Sequence, residues 1–206
     1  MRIRYITIER EYGSGGTQIA REVAKRCNLN YYGHEVLEKV AEDNNLPIED
    51  IEKYEEKASN GLLYSMFVLN QSTTGDPDLL SKEAKVFVEE TQMIQKLALN
   101  GPAVFLGHCA SHALKEKKNV LRVFIHAEEK DKQKRIIKEY GINPKNVKQS
   151  CKVHNYKRAH YYALCTHKKW RDFDNYDLLL NSSKIGVEGC IDYLCAVYNS
   201  QFNKED

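Results

Sequence analysis

The stretch ITIEREYGSGGTQIAREVAKR (6–26) decides the fold. It continues an apolar, β-rich run, IRYITI (3–8), which gives way abruptly to EREYGSGG. From about residue 15 to residue 27 the apolar side chains Ile19, Ala20, Val23, Ala24 and Cys27 recur at helical spacing, so the segment reads as strand, glycine loop and helix. Small residues at Gly13, Ser14, Gly15 and Gly16 let backbone N–H groups converge on an anion, and the helix N-terminus adds partial positive charge. The plain alternative is a tight turn that binds nothing, with Ser14 or Thr17 serving as a helix cap.

The loop is not a complete GxxxxGK[ST] phosphate motif. With Gly15 as the second glycine, Arg10 takes the place of the first, Gly16 that of the lysine, and Thr17 that of the hydroxyl beside magnesium. Phosphoryl transfer then requires another cation, because the moving phosphate develops charge that needs compensation. Arg10 is the first choice because it lies in the loop itself. Arg21 and Lys25 read as solvated charges on the helix surface.

Outward from the loop, Leu29 to Tyr32 is a short second strand. Residues 35–57 read as helical with a break near Asn44–Pro47, where Pro47 suits a first helical turn, and they carry nine acidic and three basic residues. LLYSMFVL (62–69) fits either strand or helix, and STTGDPD (72–78) is a loop. A helix is expected over about 79–99, burying Val86, Val88, Met93, Ile94, Leu97 and Ala98, and stopped by Asn100–Gly101–Pro102. AVFLG (103–107) and VLRVFIHA (120–127) have the composition of interior parallel strands, with a helix at 109–116 between them. A further helix over 128–140 ends at Gly141, Asn143 and Pro144 read as cap and first residue of the next, and DLLLN (177–181) precedes a closing helix from Gly186 to about Gln201. The order gives an α/β three-layer domain with about five parallel strands, whose ligand sits beyond their carboxyl ends.

The chain has 206 residues, 42% hydrophobic and 29% charged, with a net charge of +2. That excludes collagen-like, low-complexity and wholly disordered chains and allows one full core. No apolar run approaches the roughly 20 residues of a membrane span, and no signal-peptide pattern is read, so the expected location is cytoplasmic. The six cysteines are expected to be reduced thiols, and the spacing of His154, His160, Cys165 and His167 matches no zinc pattern. The near-neutral total conceals segregation: residues 145–171 hold eight Lys or Arg and no acid, leaving −6 for the rest. The overlapping stretch KVHNYKRAHYYALCTHKKWRDFDNYD (152–177) interleaves cations with Tyr156, Tyr161, Tyr162, Trp170 and Tyr176. It suits closure over polyphosphate, or a grip on a nucleic-acid backbone. Taken singly, Tyr161 and Trp170 read as inward-packing, and Asp172 and Asp174 as cation-orienting or as turn residues.

Four segments, ITIEREYGSGGTQIAREVAKR (6–26), NLNYYGHEVLEKVAE (28–42), PAVFLGHCASHAL (102–114) and RAHYYALCTHKKWRDFDNYDLLLNSSKIGVEG (158–189), resemble the cytidylate kinase-like family, the nucleoside monophosphate kinases whose glycine loop lacks the usual lysine. The resemblance implies a P-loop kinase fold with a five-stranded parallel sheet, a helical NMP-binding region (34–80) and a helical lid (143–171). It implies ATP with magnesium, the triphosphate at Gly13, Ser14, Gly15, Gly16 and Thr17, and metal contact at Thr17. Arg10 and Arg158 are the expected catalytic cations, with Lys157 and Arg171 secondary. Tyr32, His34 and His108 would border the acceptor, a pyrimidine nucleoside monophosphate with CMP or dCMP favoured. Expected partners are small-molecule nucleotides rather than nucleic acid or membrane, in a monomer or homodimer. The chain departs from the family pattern at Gly33, His34, His108 and Asn155, where relatives tend to have an acid, a base, an arginine and an aspartate. Gly16, Gly33, His108 and Asn155 motivate the alternative, a nucleotide-binding protein of the same fold with little or no kinase activity.

Overall fold

The computed structural model describes residues 2–49, 51 and 82–200. In chain order these form β1 (Tyr5–Arg10), α1 (Gly16–Arg26), β2 (Asn30–Tyr32), α2 (Glu35–Asn44), α3 (Lys82–Leu97), β3 (Ala103–Leu106), α4 (Ala110–Ala113), β4 (Val120–His126), α5 (Glu129–Tyr140), α6 (Val147–Thr166), β5 (Leu178–Asn181) and α7 (Ser182–Ser200). The five strands make one parallel sheet in the order β2-β3-β1-β4-β5.

Side chains alternate across a strand, so β1 feeds two cores. Ile6 and Ile8 pack with Ile19, Val23, Ile191 and Leu194 under α1 and α7. Tyr5 joins Val36, Val40, Ile94, Leu97 and Phe105 under α2 and α3. β1 lies between β3 and β4, and the chain leaves β1 toward α1 on one face and β3 toward α4 on the other. Such a divergence opens a crevice at the carboxyl ends of the strands, between Arg10 and Gly107. A third cluster, Phe124, Tyr161, Tyr162, Trp170 and Tyr176, seats α6 beside that crevice. Tyr161 and Trp170 do pack inward.

Several boundaries differ from expectation for identifiable reasons. α6 begins at Val147 rather than Pro144, because the Asn143 side chain accepts the Lys145 N–H at 2.9 Å and closes a turn ahead of the helix. α7 begins at Ser182, and Gly186 (φ 75°, ψ 163°) interrupts it instead of starting it. The α-helix between β3 and β4 covers only Ala110–Ala113. On α3, Glu90 is fully buried while Val88 is only half-buried. A helical turn starts at Pro47, whose carbonyl accepts the Ile51 N–H at 3.4 Å. The segments 62–69 and 72–78, and with them most of the expected NMP-binding region 34–80, lie outside the described residues. None of the six cysteines is in a disulfide. Among the described residues no helix is long and apolar enough to cross a membrane.

Candidate active site

The glycine loop joins β1 to α1 through two left-handed residues, Gly13 (φ 77°) and Gly15 (φ 82°), which only glycine adopts without strain. Gly15 is the N-cap of α1, no side chain caps it, and no acid lies in the first turn. Neither Ser14 nor Thr17 therefore acts as the cap. Uncapped N–H groups at a helix start attract anions.

Arg10, the last residue of β1, shapes this niche. A Cβ on Gly16 would stand 2.5 Å from Arg10 Cβ and 2.8 Å from Cγ, so the arginine stem fills the space beside Gly16. The guanidinium then crosses to Gly107 after β3, where a Cβ would collide with Nη1. Its Nε is buried and has no hydrogen-bond partner among the described residues. Arg158 reaches in from α6, donates from Nη1 to the Arg10 carbonyl at 3.0 Å and lies 5.7 Å from the centre of the Tyr12 ring. Burial, followed by repulsion from Arg10, pushes the Arg158 guanidinium down to about 9. Among the described residues neither arginine has a carboxylate ion-pair partner, a combination that calls for an anion.

Glu11 holds the surrounding cations. Its carboxylate is buried and pairs with Lys132 of α5 at 2.8 Å and with Arg171 at 2.7 Å. Arg171 thus stands against the loop through Glu11. Lys157 is half-buried next to Arg158 on α6. The adjacent Glu9 accepts the Trp170 indole N–H at 3.0 Å. Asn155 accepts the Tyr12 N–H at 2.7 Å, and His154 stacks on Tyr12 at 4.1 Å, so α6 is fastened to the loop through a neutral amide. Asp172 accepts the Asp174 N–H at 3.3 Å, a turn role.

The expected acceptor side is more dispersed. Tyr32 packs on Phe105 in the core, with ring centres 5.2 Å apart. His34 opens α2, is exposed, and approaches Glu38 at 3.4 Å. His108 is left-handed (φ 52°) and turns its Nδ1 toward the buried Glu90, 3.8 Å away, whose carboxylate accepts the Tyr161 hydroxyl at 2.6 Å. A Cβ on Gly33 would lie 2.6 Å from the Tyr31 hydroxyl oxygen, so that hydroxyl occupies the space of a residue-33 side chain. Arg21, expected to be solvated, lies 5.4 Å from the centre of the Tyr31 ring. Glu90, Arg135 and Ser182 were not singled out from the sequence. Arg135 donates to the Gly13 carbonyl, and Ser182 donates to the Ser14 carbonyl at 2.7 Å.

A glycine loop between a central strand and a helix, at the crevice of a 2-3-1-4-5 parallel sheet and roofed by a cationic helix, defines a kinase of the P-loop type. The chain belongs to the cytidylate kinase-like family, whose model matches residues 5–184. Among solved structures it is similar to an uncharacterised protein from Eubacterium ventriosum ATCC 27560 (22% identity over 97% of this chain and 99% of that one, TM-score 0.71). It is also similar to TT1252 from Thermus thermophilus (16%, 99% and 100%, TM-score 0.54). A third is shikimate kinase from Acinetobacter baumannii, solved with shikimate (10%, 98% and 96%, TM-score 0.52). At these identities the likeness is one of fold. No curated protein matches the chain.

Proposed function

We propose that the protein transfers the γ-phosphoryl group of magnesium-bound ATP to a pyrimidine nucleoside monophosphate, CMP or dCMP in first place. The observation that carries this reading is Arg10 lying from Gly16 to Gly107, between the glycine loop and the carboxyl end of β3, with Arg158 behind it and no carboxylate paired to either among the described residues. Phosphoryl transfer needs charge compensation and in-line positioning rather than a covalent nucleophile, and two convergent guanidiniums supply the first. The triphosphate would lie against the loop Gly13 to Thr17, on N–H groups at the start of α1 rather than on that of Ser14, which donates to the Glu11 carbonyl at 3.2 Å. Magnesium takes few protein ligands and keeps several waters, so the Thr17 hydroxyl would be enough to hold it beside the phosphates, where it would neutralise their charge. The choice of CMP follows the family.

The second reading, nucleotide binding with little turnover, is favoured by one observation: His108 turns to Glu90, itself bonded by the Tyr161 hydroxyl, where an arginine would offer a permanent acceptor clamp. Incubating the protein with magnesium, ATP and each of CMP, dCMP, UMP, AMP and GMP, and following ADP, separates the two. Turnover with CMP or dCMP fastest supports the first reading. ATP binding without turnover on any acceptor establishes the second.

A further inference from the structure

Two side chains outside the anion niche grip successive carbonyls of the glycine loop. Arg135, on α5, donates from Nη1 to the Gly13 carbonyl, and its Cζ lies 3.5 Å from where a Cβ on Gly15 would stand. Its charge is shared with Glu139, 3.9 Å from Nε. Ser182, the first residue of α7 and buried, donates from Oγ to the Ser14 carbonyl at 2.7 Å, with the His126 carbonyl at 3.3 Å.

The consequence follows from peptide geometry. In a trans peptide the carbonyl and the next N–H point in opposite directions. The Gly13–Ser14 peptide is held at both ends, its carbonyl by Arg135 and its N–H by the Glu11 carbonyl at 3.2 Å. The Ser14–Gly15 peptide is held at its carbonyl by Ser182, which directs the Gly15 N–H to the side away from Ser182. Glycines on both sides of Ser14 give this backbone little steric resistance to a peptide flip. A flip would present a carbonyl oxygen to the phosphates and withdraw a donor.

We infer that Ser182 and Arg135 are positioning residues that keep the loop in its polyphosphate-accepting form by holding the Ser14 and Gly13 carbonyls outward. The inference rests on the phosphate-binding reading of the loop. Ser182 is the cleaner probe, because it is uncharged and bonds only to backbone. Calorimetric titration of wild type and Ser182→Ala with tripolyphosphate, Mg–ATP and adenosine is the test. Losing one such bond should weaken tripolyphosphate and Mg–ATP about five- to tenfold. Adenosine affinity and kcat at saturating nucleotide should be unchanged. Ser182→Thr, which keeps the hydroxyl, should recover the affinity, and Arg135→Lys, which keeps the charge but loses the guanidinium fork, should show the same phosphate-selective loss in smaller measure. Undiminished tripolyphosphate binding by Ser182→Ala, or an equal loss for adenosine, overturns the inference while leaving the nucleotide reading intact. A wild type that binds neither tripolyphosphate nor Mg–ATP overturns both.

Discussion

Gly16 stands where the GxxxxGK[ST] pattern has lysine, and its reason is steric: the contacts a Cβ would make are with Arg10 Cβ and Cγ, atoms close to the backbone that cannot swing aside. Gly16→Ala should therefore displace Arg10, cutting turnover about a hundredfold or more and stability by roughly 1–3 kcal/mol. Initial rates and thermal unfolding measure the two, and turnover near wild type would show that Arg10 need not hold this position. Gly16→Lys should not restore a conventional loop, since its stem meets the same obstacle. Arg158 illustrates a different residue-level effect. Burial and the neighbouring Arg10 cation disfavour its charge, so the free protein holds it at a cost that a bound anion relieves. Pyrophosphate should raise the unfolding temperature of wild type, whereas Arg158→Met should melt no lower than wild type without ligand and gain little from pyrophosphate. A full pyrophosphate gain in Arg158→Met would remove this arginine from the phosphate site.

At the scale of elements, Glu11 is the joint at which loop, α5 and the segment after α6 meet. Burial lowers the Lys132 ammonium, but hydrogen bonds to Glu11 and Glu129 outweigh it and hold its pKa above the ordinary lysine value. The sign follows: a cation raised on folding contributes its stability fully below the unfolded lysine value of about 10.4, and that contribution fades only above it. Across neutral pH, Glu11→Gln should cost about 3 kcal/mol, since it leaves a buried ammonium with only the exposed Glu129. Urea unfolding at pH 7 measures this, and a loss below about 0.5 kcal/mol, the range of neutral surface changes, would show that Glu11 is not a joint. Much of this frame is legible in the sequence because strands β1, β3, β4 and β5 are short apolar runs with sharp ends, and the glycine loop follows directly from the first. Arg10 is legible for the same local reason, since it sits in the motif it serves. Glu90 is hidden because a single buried carboxylate among apolar positions leaves the helical period intact, and only its partners Tyr161 and His108, distant in sequence, account for it. Arg135 and Ser182 are hidden because their acceptors are backbone carbonyls more than a hundred residues away. The start of α6 is not legible because Asn143 and Pro144 serve equally well in a turn, and only the tertiary course of the chain distinguishes turn from helix.

Over the whole molecule, the decisive property is charge placement rather than net charge. The +2 total would give little long-range attraction for ATP, yet residues 145–171 gather eight cations without an acid, four of them on a helix fastened to the loop by Asn155 and His154. An approaching polyphosphate meets this field before it meets Arg10, so association should be electrostatically steered. The Debye length falls from about 30 Å at 0.01 M salt to about 10 Å at 0.1 M, which confines the field of exposed lysines such as Lys148 and Lys152 but scarcely affects the half-buried Arg158. The association rate of Mg–ATP should accordingly drop about three- to tenfold between 0.01 M and 0.2 M salt, with kcat nearly constant and adenosine association insensitive. Lys148→Gln with Lys152→Gln should flatten the salt dependence and leave kcat unchanged. The chain supplies its own probe: Trp170 is the single tryptophan, it is buried, and it bonds to Glu9 directly before Arg10. Stopped-flow measurement of Trp170 fluorescence therefore follows association at the site itself. A salt-independent rate would mean that the cations of residues 145–171 do not guide the ligand, leaving Arg10 and Arg158 to attract it only at contact.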